Sequence, residues 1–211
     1  MPCDLFGDAE ADSRVHFYTG EAMSTANRVS KRSDARRNRE AILAAAKAMF
    51  AESGDVAMYE VARRAGVGQA TLYRNFPDQD ALIAAIAVES IGELERINAE
   101  HAGEPDRFFV LLRAIADSAA RFHGLASCAQ ESPDVASELE ALQQRLTDVI
   151  KGSLRDAKSA GLVRRDLSIA DVMLLIAMLE GALSREADAS GRAAAASRVL
   201  ALALEGLTAQ P

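Results

Sequence analysis

The stretch Val61–Phe76, VARRAGVGQATLYRNF, decides the fold. Val61, Ala62 and Ala65 sit at helical spacing, Gly66 and Gly68 interrupt the pattern, and Gln69–Asn75 resumes it. The turn is too short to feed a sheet. Gly66 can take the left-handed conformation that ends a helix, and Val67 is the apolar residue available to fill the angle between the two helices. This is the pattern of a helix-turn-helix. Gln69, Thr71, Tyr73, Arg74 and Asn75 on the second helix are residue types that reach base edges or phosphate oxygens. Leu72 and Phe76 point back to anchor that helix.

Outward from the motif the helical spacing continues. Ile42, Ala46, Met49 and Phe50 form a core-facing stripe, which predicts a helix over roughly 36–53 ending at Gly54. Pro77-Asp78 breaks and recaps the chain. Leu82, Ile83, Ile86, Ile91, Leu94 and Ile97 then predict a long helix to about Asn98. With Ile42, Ala46, Phe50, Gly54 and Leu82 around it, the motif resembles the amino-terminal domain of the TetR family of transcriptional repressors, over roughly 36–87. The most specific part is the run TLYRNFPDQDAL. Two positions depart from the family pattern: Ala57 stands where Ser or Thr is usual, and Gln79 where Lys or Arg is frequent. An Ala cap gives up about 1 kcal/mol and a hydroxyl.

The resemblance implies an all-α protein. It makes 34–78 a three-helix DNA-binding domain and 79–211 a helical ligand-binding and dimerisation domain. Residues 1–33 themselves lack sustained periodicity, mix acids, Gly, Ser and Thr, and so read as a disordered extension with a basic arm. The implied DNA-binding set is Arg36, Arg37, Gly68, Gln69, Ala70, Thr71, Tyr73, Arg74 and Asn75. The helix after the motif would act as a lever, and a small molecule would release the dimer from a palindromic operator.

Charge supports a nucleic-acid partner. The net charge is −7, yet residues 28–76 carry ten Lys and Arg against five acids, so this segment is +5 and the remainder −12. A basic segment on an acidic chain suits a DNA-reading part attached to a body that does not touch DNA. Arg28, Lys31, Arg32, Arg36 and Arg37 form an arm suited to a phosphate backbone, although a solubilising tail accounts for them too. Met23, followed by Ser-Thr-Ala, resembles a second possible start.

The rest of the chain reads as core-forming helices. A length of 211 residues with 49% apolar content is ample for a core. Pro105 opens a stripe of Phe108, Leu111, Leu112, Ile115, Ala119 and Phe122 that ends at Gly124, and 125–132 is poorly patterned. Pro133 opens a longer helix closed by Gly161, and two more are predicted at about 169–185 and 192–209. Val172–Leu179 is apolar on every face, which implies both core and partner contacts. A homodimer is therefore expected, with Leu175, Leu179, Leu183, Leu200 and Leu204 as interface candidates. Phe108, Leu112, Phe122, His123, Leu146, Ile150 and Met173 are candidates for a pocket that takes a small apolar ligand, each of them equally at home in a filled core.

Other functions find little support. His16, His101 and His123 lack metal-ligand spacing, and the sequence has no HExxH, GxSxG or P-loop. Gly66-Val67-Gly68 follows a helix instead of a strand, so it is not a dinucleotide fingerprint. Cys3 and Cys128 have no partner spacing. No catalytic residue, metal or cofactor is expected. No apolar run of about 18 residues spans a membrane, and a cytoplasmic location is the expectation. Two alternatives stay open: a DNA-binding regulator controlled by a protein partner, and a helical small-molecule binder with a vestigial motif.

Overall fold

The computed structural model describes residues 19–53, 56–123 and 133–207, with side chains described over 33–52, 56–123 and 140–207. All regular elements among them are helices: α1 Thr19–Ser53, α2 Met58–Arg64, α3 Gln69–Asn75, α4 Gln79–Glu100, α5 Arg107–Arg121, α6 Pro133–Ser159, α7 Ile169–Leu183 and α8 Ala189–Leu207. Residues 1–18 of the extension, the poorly patterned 125–132, and Gly54 and Gly124, read above as helix ends, lie outside the described residues.

One boundary needs correction. The first helix begins at Thr19, so residues 19–33, expected to be disordered, are helical. No Pro or Gly interrupts Glu21–Ser53, and extending a helix already nucleated by a packed segment is cheap even where no face is apolar. The other ends follow their local signals. Gly66 has φ +68°, and the Val67 N–H donates to the Ala62 carbonyl at 3.0 Å, which closes α2. Gly161 repeats the device at the end of α6, with φ +70° and Leu162 N–H donating to Ala157 at 3.0 Å. Asp78 caps α4 by accepting from Ala81 N–H at 2.7 Å, and Ser168 with Asp171 forms a capping box on α7.

Two hydrophobic cores result. The first gathers Ile42, Ala46 and Phe50 of α1, Val61 and Ala62 of α2, Leu72 of α3 and Phe76 after it, and extends past residue 78 to Leu82, Ile83 and Ile86 of α4. The second gathers Leu94, the inward face of α5, Ile150 and Leu154 of α6, Val172, Leu179 and Leu183 of α7, and Ala196 and Leu200 of α8. Helix α4 therefore serves both. Lys47 pairs with Glu89 on its first part, while Arg145 grips Glu95 through two hydrogen bonds of 3.0 and 2.8 Å and Arg107 donates to Asn98 at 2.7 Å on its second. No helix among the described residues is long and apolar enough to cross a membrane.

Candidate nucleic-acid interface

Helix α3 is pinned on one face and free on the other. Leu72 and Phe76 are 0% and 1% exposed, each contributing about 1.5 to 3 kcal/mol by burial. Val67 is half-buried against the same core, where it fills the angle between α2 and α3. On the opposite face Gly68, Gln69, Ala70, Tyr73 and Arg74 are exposed, Tyr73 by 49%. The Gly68 carbonyl receives the first helical bonds, from Thr71 and Leu72 at 2.8 and 3.1 Å, with no side chain in the way.

The polar groups of α3 are held in different ways. Gln69 and Tyr73 stand outward. Arg74 folds along its own helix, its Nε donating to the Ala70 carbonyl and Nη2 to the Thr71 hydroxyl, both at 3.0 Å. Asn75 is half-buried, and its amide donates to the Thr71 carbonyl at 2.8 Å. To meet a base, Asn75 must give up that bond. Arg36 and Arg37 lie exposed on α1, paired with Glu40 at 3.5 Å and Asp34 at 2.8 Å. Exposed pairs of this kind are weak and exchange readily for phosphate.

Two residues escaped the sequence reading. The Arg39 guanidinium lies 4.4 Å over the Phe76 ring and donates to the Asn75 carbonyl at 3.4 Å, so α1 braces the end of α3. Its signal was its spacing: Arg39 precedes Ile42, Ala46 and Phe50 on one helical face. Tyr59, 59% exposed in the first turn of α2, was visible as an aromatic outside the apolar period. That turn starts at Ala57, which makes no side-chain cap, as its residue type requires. The Arg64 guanidinium is held by Glu52 through two bonds of 2.7 Å, which depress the Glu52 carboxyl pKa below its ordinary range.

In the body the candidates separate. Phe108 and Ile150 are buried in the second core, with Leu146 and Met173 half-buried against it. Phe122 packs against the first core, so it does not join them. The His123 Nδ1 is buried without a hydrogen bond among the described residues, 3.5 Å from the Glu180 carboxylate. A small, partly open apolar cleft, with room for about one water, does lie between α5, α7 and α8, lined by Leu112, Ile115, Ala116, Leu175, Ile176, Leu179, Val199 and Leu200. Of the pocket candidates only Leu112 lines it. Of the interface candidates, Leu179, Leu183 and Leu200 are buried in the chain's own core, Leu175 lines the cleft with Leu179 and Leu200, and Leu204 packs beside that core. The side chains left outside are Leu174, Met178 and Leu202, exposed by 60%, 61% and 54%.

Comparison with known proteins bears on the whole arrangement. Residues 42–86 match the model of the tetR family of bacterial regulatory proteins, and 104–209 match that of the C-terminal domain of SbtR-like transcriptional regulators. A TetR transcription regulatory protein of Mycobacterium vanbaalenii is 30% identical, with 84% of this chain and 98% of that one covered at a TM-score of 0.63. The chain belongs to the TetR family of transcriptional regulators. It is accordingly a DNA-binding regulator. The TetR regulator SCO0520 of Streptomyces coelicolor is 29% identical, over 82% of this chain and 99% of that one, with a TM-score of 0.64. A TetR-family regulator of Agrobacterium tumefaciens shares the fold at 18% identity, 83% and 100% coverage and a TM-score of 0.64. No curated protein matches the chain.

Proposed function

We propose that this regulator is a homodimeric repressor that grips a palindromic operator through α3 and is released by a small, mostly apolar molecule bound in its body. The division of labour follows the cores: 34–78 with the first part of α4 reads DNA, and the remainder of 79–211 senses and dimerises. The single observation that carries the reading is the two-faced α3, with Leu72 and Phe76 sealed below and Gln69 and Tyr73 presented above. Gln69 suits adenine, the Thr71 methyl suits thymine, Arg74 and Asn75 become readers once freed from their helix, and Tyr73 with Arg36 and Arg37 holds phosphate.

Dimerisation is supported by Leu174, Met178 and Leu202, large apolar groups on the last two helices that the described residues leave more than half exposed. The apolar cleft beside Leu112 is where an effector would start to enter, and α4, fastened to both cores, would carry its effect. Effector and operator must then oppose each other reciprocally, by about 5- to 150-fold for a typical coupling. Small molecules that raise the melting temperature should be titrated with and without operator DNA. Hits that bind equally in both conditions would remove the effector from the account and leave a regulator controlled by a protein partner.

A further inference from the structure

Arg192 occupies a place that elementary electrostatics disfavours. It lies in the first turn of α8, where the helix dipole presents its positive end, and it is only 6% exposed. A buried guanidinium is tolerated only where its donors find acceptors. Its Nε donates to the Ala120 carbonyl at 3.3 Å and its Nη2 to the Ala51 carbonyl at 3.2 Å. Both carbonyls belong to the last turn of a helix, α5 and α1, where they lack a partner within the helix and carry its negative end. One side chain therefore serves two helix ends.

Those ends belong to different cores. Helix α1 builds the first, while α5 and α8 build the second. Phe122, next after α5, inserts toward the first core at the same junction. Among the described residues, this junction joins the DNA-reading part to the body alongside α4.

We propose that Arg192 is a positioning residue for DNA binding, setting the angle between α1 and the body so that the two α3 helices of a dimer stand at half-site separation. The proposal rests on the dimeric reading above. It also routes the effector signal: Ala116 lies one turn before Ala120 on α5 and Val199 two turns after Arg192 on α8, and both line the apolar cleft. A molecule that parts α5 from α8 there draws Arg192 away from one of its two carbonyls.

The test uses the full chain and its Arg192→Met and Arg192→Lys variants. Affinity is measured for a duplex with one half-site and for duplexes with two half-sites at the selected spacing or with one base pair added or removed. Arg192→Met should stay within about twofold on the single half-site, the size of ordinary non-additivity. On the selected spacing it should lose about tenfold, within the range of a coupling energy, and it should discriminate less between spacings. Arg192→Lys, able to reach one carbonyl, should fall between, and it carries the test if the Met variant does not fold. Equal losses on all duplexes would make Arg192 merely structural and overturn the proposal, as would no loss on any. An unaltered chain indifferent to spacing would overturn the dimeric reading and the proposal with it.

Discussion

The two cores differ in how completely they close. In the first, Ile42, Phe50, Leu72 and Phe76 are at most 1% exposed, and among the described residues the large apolar groups left outside nearby are Tyr59 and Tyr73, each with a hydroxyl. In the second, α7 buries Val172, Leu179 and Leu183 but leaves Leu174 and Met178 more than half exposed, and α8 does the same with Leu202. A finished core with polar-tipped aromatics outside suits a wet, charged partner such as DNA. An unfinished apolar face suits a second copy of the chain. On the proposed function, the contrast separates the part that reads DNA from the part that assembles.

The largest break in that contrast comes from the first core. Phe76→Ala removes a sealed ring and the platform under Arg39, and should cost about 3 to 5 kcal/mol. Thermal melting should show an early transition and DNA binding should vanish, while sedimentation still reports the dimer; loss of the dimer as well would mean that the cores are not separable. Next is Met178→Lys, which puts a charge in the centre of the open face. At an interface centre such a change costs about 2 kcal/mol or more of association, whereas at a plain surface position it stays within about 0.5 kcal/mol of stability. Sedimentation should show a folded monomer with an unchanged melting temperature.

These changes also mark what the sequence could reveal. The ends at Gly66 and Gly161, the Asp78 cap and the anchoring by Leu72 and Phe76 were all legible, because each rests on a local rule of turn, cap or period. The facing of α7 was not. Val172–Leu179 is apolar on every side, so periodicity cannot say that Leu179 and Leu183 turn inward while Leu174 and Met178 turn out. Phe122 was on the right stripe for the body, yet its position at the end of α5 delivers it to the other core. Arg192 gave no signal, because its partners are backbone carbonyls far away in sequence. On α3 the residue types were legible, but the folding of Arg74 and Asn75 onto their own helix was not.

Smaller effects sharpen the reading face. Gln69→Ala should relax preference at particular bases, at about 1 to 3 kcal/mol each. Tyr73→Phe should weaken all duplexes alike by about 1 kcal/mol for one lost hydrogen bond. Competition between specific and random duplexes distinguishes the two, and equal losses from both variants on both kinds of DNA would defeat the assignment.

The smallest effect concerns the grip of the body on α4. Arg145 holds the Glu95 carboxyl below its ordinary pKa, chiefly through their hydrogen bonds. A depressed carboxyl stabilises the fold above the usual carboxylate range, and that contribution disappears as pH falls through its folded pKa. The pair is more than a third exposed, so screening limits it to about 1 kcal/mol at most. Urea unfolding of Arg145→Ala should show this loss at neutral pH and none once the carboxyl is protonated.

The most direct measurement is selection of bound fragments from random duplex DNA by the intact chain. The account predicts an enriched palindrome or near-palindrome whose two half-sites lie about one helical turn, or a multiple of it, apart, bound by a dimer. Fragments with no common sequence, or one asymmetric site bound by a single chain, would contradict it.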